Sequence, residues 1–158
     1  SEAIPHINLG LVRDDQDFSK DLTFLKTGKQ VLINEQYQAI HGKRSNCHNS
    51  AHELVVYFEN AKKTKFNLII RAYNDGVAFR YEFPDKEGTY VVQDELTGYR
   101  IPAGTRRWME KWDMANEALY TRIKDDAVQQ TWSYPALFNT VDSSCWYLIH
   151  EADLNRNY

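Results

Sequence analysis

The run FNLIIRAYNDGVAFRYEF at residues 66–83 constrains this chain more than any other stretch. Phe66, Leu68, Ile70 and Ala72 share one face of its first half. Val77, Phe79, Tyr81 and Phe83 share one face of its second half, with Ala78, Arg80 and Glu82 opposite. A side-chain period of two specifies strand, and Asn74-Asp75-Gly76 at the midpoint specifies a tight turn, because glycine takes positive φ without steric cost. The stretch predicts a β-hairpin and carries no catalytic apparatus of its own.

Strand patterns recur along the chain. Residues 30–40, 53–58, 89–95, 106–113, 132–138 and 145–151 all read as strands, the 53–58 run being apolar enough for burial on both faces. Pro135 suits an edge strand or a strand start, since proline donates nothing to a ladder. The polar stretch 41–50 reads as a connection, and the lysine-rich 61–65, 84–88 and 101–104 as turns. Phe18, Leu22 and Leu25 have weak helical spacing, for a short turn of helix or an irregular approach. Residues 116–123 fit strand or loop, and 152–158 trail out. Eight or more short strands with intervening turns predict an antiparallel β-sandwich with little helix, a single domain over 1–158.

Bulk properties narrow the function classes. A chain of 158 residues can bury roughly 70% of its unfolded surface. Its 42% hydrophobic and 26% charged residues are those of a globular protein, not a disordered one. Ten Tyr, seven Phe and four Trp fit pleated sheet, and such rings also stack on the apolar faces of sugars. A net charge of −3 offers no field for nucleic acid, and Lys62, Lys63 and Lys65 read as a solvated turn. No apolar run approaches the roughly 20 residues that span a bilayer. The opening Ser1-Glu2-Ala3 has neither Met nor a signal-peptide pattern, as expected of a mature protein or, better, an expressed fragment. Two cysteines, Cys47 and Cys145, are too few for a disulfide framework. Cys47-His48 and His52 lack a second ligand pair at zinc spacing and read as packing or loop residues.

Most chemistry signatures are absent. There is no G-x-S-x-G elbow, P-loop, G-x-G-x-x-G or EF-hand loop. His6, His41, His48, His52 and His150 have no supporting motif, and carboxylate spacing selects no glycosidase pair. Residues 107–120, RWMEKWDMANEALY, stand apart by placing Trp108, Trp112, Glu110, Glu117, Asp113 and Tyr120 around one strand and the loop after it. One reading is a strand with a packed aromatic face. The other is a loop that aims rings and a carboxylate at a neighbouring sugar site, where one Glu could join oxygen ligands on a hard cation such as calcium.

Leu9-Gly10-Leu11, YQAIHGKR at 37–44 and above all RAYNDGVAFRY at 71–81, with Pro135-Ala136-Leu137 and IHEADL at 149–154, carry a family resemblance. Over nearly the whole chain they resemble the N-terminal domain of glycoside hydrolase family 97, an α-glucosidase and α-galactosidase family. The resemblance implies a galactose-mutarotase-like β-supersandwich packed against a (β/α)8 barrel that holds the catalytic acid and the base or nucleophile. It implies no catalytic residue in this domain, which shapes the pocket, with Trp108 and Trp112 as substrate-binding residues. It also implies one glutamate lent to a calcium ion. By position, after the Trp-rich strand and three residues before a Tyr, that glutamate is most like Glu117, with Glu110 next. Two departures are that no barrel follows Tyr158 and that an extra strand pair usually precedes the Leu-Gly-Leu segment. The expectation is a fragment truncated at its N-terminus, with an unpaired sheet edge, inactive alone.

The leading reading is an accessory domain of a calcium-dependent, exo-acting α-glycosidase, α-glucosidase foremost, periplasmic or otherwise exported. Its partners would be the carbohydrate substrate and the barrel of the same polypeptide. A second is a free-standing carbohydrate-binding module with Trp108, Trp112 and Trp132 as a stacking platform. A third, a mutarotase-type epimerase, ranks last, because the adjacent His150 and Glu151 cannot face each other on a strand.

Overall fold

The computed structural model describes residues 2–84, 87–115, 117–124 and 130–152. Asp85, Lys86, Asn116, the motif residues Asp153 and Leu154, and most of the expected C-terminal tail lie outside that set. Among the described residues there is no helix. The strands are β1 (His6–Asn8), β2 (Leu11–Arg13), β3 (Thr23–Thr27), β4 (Val31–Gln38), β5 (Asn46–Glu59), β6 (Lys65–Ala72), β7 (Val77–Glu82), β8 (Val92–Glu95), β9 (Gly98–Arg100), β10 (Arg106–Lys111), β11 (Thr121–Ile123), β12 (Trp132–Asn139) and β13 (Trp146–Ile149). Their pairings are antiparallel. The chain divides into two compact units, Gly10–Leu96 and Ser1–Leu9 with Thr97–Tyr158.

In the unit Gly10–Leu96 the expected hairpin is the frame. Leu68 faces Tyr81, Ile70 faces Phe79 and Ala72 faces Val77, the register that the alternation predicts. The turn closes with Tyr73 N–H donating to Gly76 O at 2.8 Å. Positive φ occurs at Gly42 and Gly104 but not at Gly76, so this four-residue link does not use the freedom that the Asp-Gly pair offers. β6 runs along one edge of β5, while β4 and β3 share the other edge end to end.

Phe66 and Phe18 are 0% exposed. Rings of Phe18, Phe58, Tyr81 and Phe83 surround Phe66 with centroids 5.1–6.0 Å away. Burying one such ring contributes about 1.5–3 kcal/mol. The Arg13 guanidinium lies over Phe18, Phe83 and Tyr90, 3.9 Å from the last, and donates to both Asp15 oxygens at 2.9 and 2.8 Å.

Two local expectations change here. The 18–25 segment is no helix: Asp17 Oδ1 accepts from Ser19 N–H and Oγ, Phe18 N–H donates to Leu11 O, and β3 follows. Asx-type bonding of this kind competes with helix formation. The polar stretch 41–50 is not all connection, because β5 begins at Asn46 and is 14 residues long. Its polar side chains are paired across the ladder, Asn49 to Glu35 at 2.8 Å and His48 with Asn34.

In the other unit the sheet order is β11-β10-β12-β13, with β1-β9 as a separate pair. One face packs Ala136, Phe138 and Ile149 with Ile4, Tyr99, Ile101, Met109 and Tyr147. Tyr147 stacks on Phe138 at 5.1 Å and donates its hydroxyl to Ala3 O. Its phenol is pushed up, mainly by burial. β12 is an interior strand, and Pro135 is its fourth residue, so it lies neither on the expected edge nor at a strand start. Pro135 is accommodated where the ladder breaks, between the Trp108–Leu137 and Glu110–Ser133 pairs, so its missing N–H falls at an irregularity.

Candidate functional site

The site grows from the alternation of β10. Met109 enters the core, so Arg106, Trp108 and Glu110 occupy the opposite face of the strand. Leu137 is the register partner of Trp108 and Leu148 that of Leu137. One residue row along, Arg106, Asn139 and Trp146 align. Trp108 therefore meets Trp146 across the diagonal, with ring centroids 5.0 Å apart and a 35° tilt. Tyr120, Pro135, Leu137 and Leu148 complete an open hollow of about 510 Å³ around the two indoles. Trp146, on the edge strand β13, is 57% exposed.

Beside the aromatic rings sits a buried carboxylate. Glu110 is 2% exposed, and neither its Oε1 nor Oγ of its buried register partner Ser133 has a hydrogen-bond partner among the described residues. The Tyr120 phenol is raised above its ordinary range, first by desolvation and then by the charge and hydrogen bond of Glu110.

The structure unites some of the sequence-derived candidates and separates others. Trp108 is in the hollow; Trp112 is exposed just past β10, with its backbone N–H donating to Thr131 O, and is not among the lining residues. Trp132 is half-buried opposite Lys111. Glu117 is exposed in the segment leading to β11, whereas Glu110 is buried in β10. Among the described residues no three His, Cys, Asp or Glu side chains gather to hold an ion. Cys47 and Cys145 are free thiols. Tyr120, one of the aromatic candidates of residues 107–120, lines the hollow, whereas Trp146 and Leu148 carried no functional expectation in the sequence. The available signal was the WYLI run at 146–149, apolar on both faces, which marks a sheet with something to cover on each side.

Comparison with known proteins gives concordant matches. The family model for the glycosyl-hydrolase 97 N-terminal domain matches residues 1–158. A probable retaining alpha-galactosidase of Streptomyces bingchenggensis (strain BCW-1) is 28% identical over 152 residues, which are 95% of this chain and 23% of that protein. The crystal structure of a beta-arabinopyranosidase superposes with a TM-score of 0.79 at 28% identity, covering 94% of this chain and 26% of that one. A glycoside hydrolase family 97 enzyme from Pseudoalteromonas sp. strain K8, in complex with panose, gives a TM-score of 0.73 at 24% identity, over 89% of this chain and 22% of that one. The fold is the all-β antiparallel sandwich of these N-terminal domains. The chain spans about a quarter of the length of the relatives it matches.

Proposed function

Because this chain belongs to the glycosyl-hydrolase 97 N-terminal family, we propose that it is the accessory domain of an exported, calcium-dependent α-glycosidase acting on terminal α-linked sugars. The observation that carries the reading is the family match over residues 1–158. In this reading the domain supplies a wall of the substrate pocket through Trp108 and Trp112, and the barrel of the same polypeptide performs the proton transfers. α-Glucosides are the first substrate class, in keeping with the panose complex of a family member. α-Galactosides are the second, in keeping with the Streptomyces relative.

Glu117 suits the part of a lone ligand. Its carboxylate is exposed, and calcium takes six to eight oxygens, so this residue can donate one while the rest of the shell comes from elsewhere in the enzyme. When bound, the ion would orient and polarise the substrate near its leaving group. Glu110 fits that part less well, being buried in β10.

The test uses the full-length enzyme with p-nitrophenyl α-glucoside and α-galactoside, with calcium or chelator, comparing wild type with Glu117→Gln. Activity that collapses on chelation and in the variant supports a ligand donated by this domain. Chelator-sensitive activity untouched by the variant makes Glu117 an ordinary surface residue. The 158-residue chain alone is expected to be inactive, and robust turnover of an aryl α-glycoside by it would sink that part of the proposal.

A further inference from the structure

We propose that β4 is an open sheet edge through which two copies of this chain join, each laying its β4 antiparallel to the other's. The inference stands apart from the carbohydrate reading above and needs neither the hollow nor the calcium ligand.

The backbone itself defines what fits there. β4 pairs with β5 alone, over eight consecutive residues without a break. Ala39 N–H donates to Ser45 O at 2.7 Å beyond one end of that ladder, and Gly28 N–H to Val55 O at 2.8 Å beyond the other. Hydrogen-bonded and non-hydrogen-bonded pairs alternate along an antiparallel ladder. Val31, Ile33, Glu35 and Tyr37 therefore direct their backbone groups to β5, and those of Leu32, Asn34, Gln36 and Gln38 point away from it. Among the described residues no strand takes up that outward row. Seven of the eight β4 residues are exposed, so the row is open to water. An extended strand is the occupant whose own N–H and C=O groups match it.

Natural sheets guard such edges with lysine, proline, a bulge or a very short strand. The strand VLINEQYQ has none of these. The other marginal strands of the four- and five-stranded sheets are shorter, with six residues in β7, five in β3, four in β13 and three in β11.

A second copy suits the edge because β4 is its own complement. With a two-fold axis at Asn34, Asn34 faces its counterpart and Leu32 faces Gln36 on either side, three pairs that exchange about six hydrogen bonds. On the opposite face Val31 then meets Tyr37, and Ile33 meets Glu35. An axis at Glu35 would instead set two carboxylates against each other, which is destabilising, so charge selects the register. Glu35 already accepts from Asn49 at 2.8 Å. A net charge of −3 per chain leaves little long-range repulsion between copies.

The experiment sediments the 158-residue chain at concentrations from about 5 μM to about 500 μM, where a monomer–dimer equilibrium is expected. Residue-resolved amide hydrogen exchange over the same range locates the contact. The amides of Leu32, Asn34 and Gln36 should gain protection as the dimer fills, while those of Ile33, Glu35 and Tyr37 are protected at every concentration. Gln36→Pro removes one outward donor from each copy and no bond to β5, so it should raise the dimer Kd at least about ten-fold. Gln36→Lys, the guard that natural edges carry, should act in the same direction. Circular dichroism and unfolding midpoints are recorded for both variants, and exchange in the unmutated chain decides the matter should either not fold. A chain that stays monomeric throughout overturns the proposal. So does a dimer in which the three outward amides exchange as freely as in the monomer, or protection of those amides that does not change with concentration.

Discussion

Replacing Glu110 with Met should stabilise the chain. Glu110 is 2% exposed and its Oε1 has no partner among the described residues. Leaving a buried acceptor unsatisfied costs about 1–3 kcal/mol, and Met restores similar bulk without a polar atom that needs water. The Tyr120 phenol, which feels the Glu110 charge, is 45% exposed, so solvent compensates it at little cost. The net expectation is a gain of about 1–2 kcal/mol, or a midpoint rise of roughly 2–8 °C for a chain of this size. All four tryptophans, Trp108, Trp112, Trp132 and Trp146, lie in the unit that contains Glu110. Thermal unfolding followed by tryptophan emission therefore places its probes in the unit that carries the substitution. A midpoint lowered by more than about 2 °C would show that the protein itself satisfies the carboxylate, and would refute the argument.

Other expectations follow from the second unit. Phe66→Ala should cost about 3–5 kcal/mol, because a fully buried ring with four ring neighbours is removed; Phe66→Leu should cost clearly less. Urea unfolding by far-ultraviolet circular dichroism checks this, and an Ala penalty below about 1.5 kcal/mol would contradict the assigned core. Glu59 is held below the usual carboxylate range by hydrogen bonds from Lys63 and Lys65, as Asp15 is by Arg13. Folded values below the unfolded ones give stability that is present above about pH 4 and lost as pH falls through the folded values. Urea midpoints should drop over that window, and Glu59→Gln should make the drop shallower. An unchanged slope in the variant would remove Glu59 from the account.

What the sequence by itself determined is the local part of this protein. Alternation across Asn74-Asp75-Gly76 defined the β6–β7 hairpin and the faces of its two strands, since a strand's period is a property of neighbouring side chains and a one-residue slip would turn every one of them over. The same segment carried the family resemblance that the match over residues 1–158 establishes. Local pattern was weaker where long-range pairing overrode composition. The polar start of β5 looked like a loop because its partners, Asn34 and Glu35, sit on β4. Pro135 looked like an edge because the break in the β10–β12 ladder is invisible in one strand alone.

The tertiary structure decided the candidate site. Trp108 and Trp146 are 38 positions apart (146 − 108), and only the β10–β12–β13 register sets one ring beside the other. Whether Glu110 faced solvent or the protein interior depended on that same pairing. A side chain's exposure is a sum over whatever lies across the sheet from it, and sequence spacing within one strand does not contain that sum.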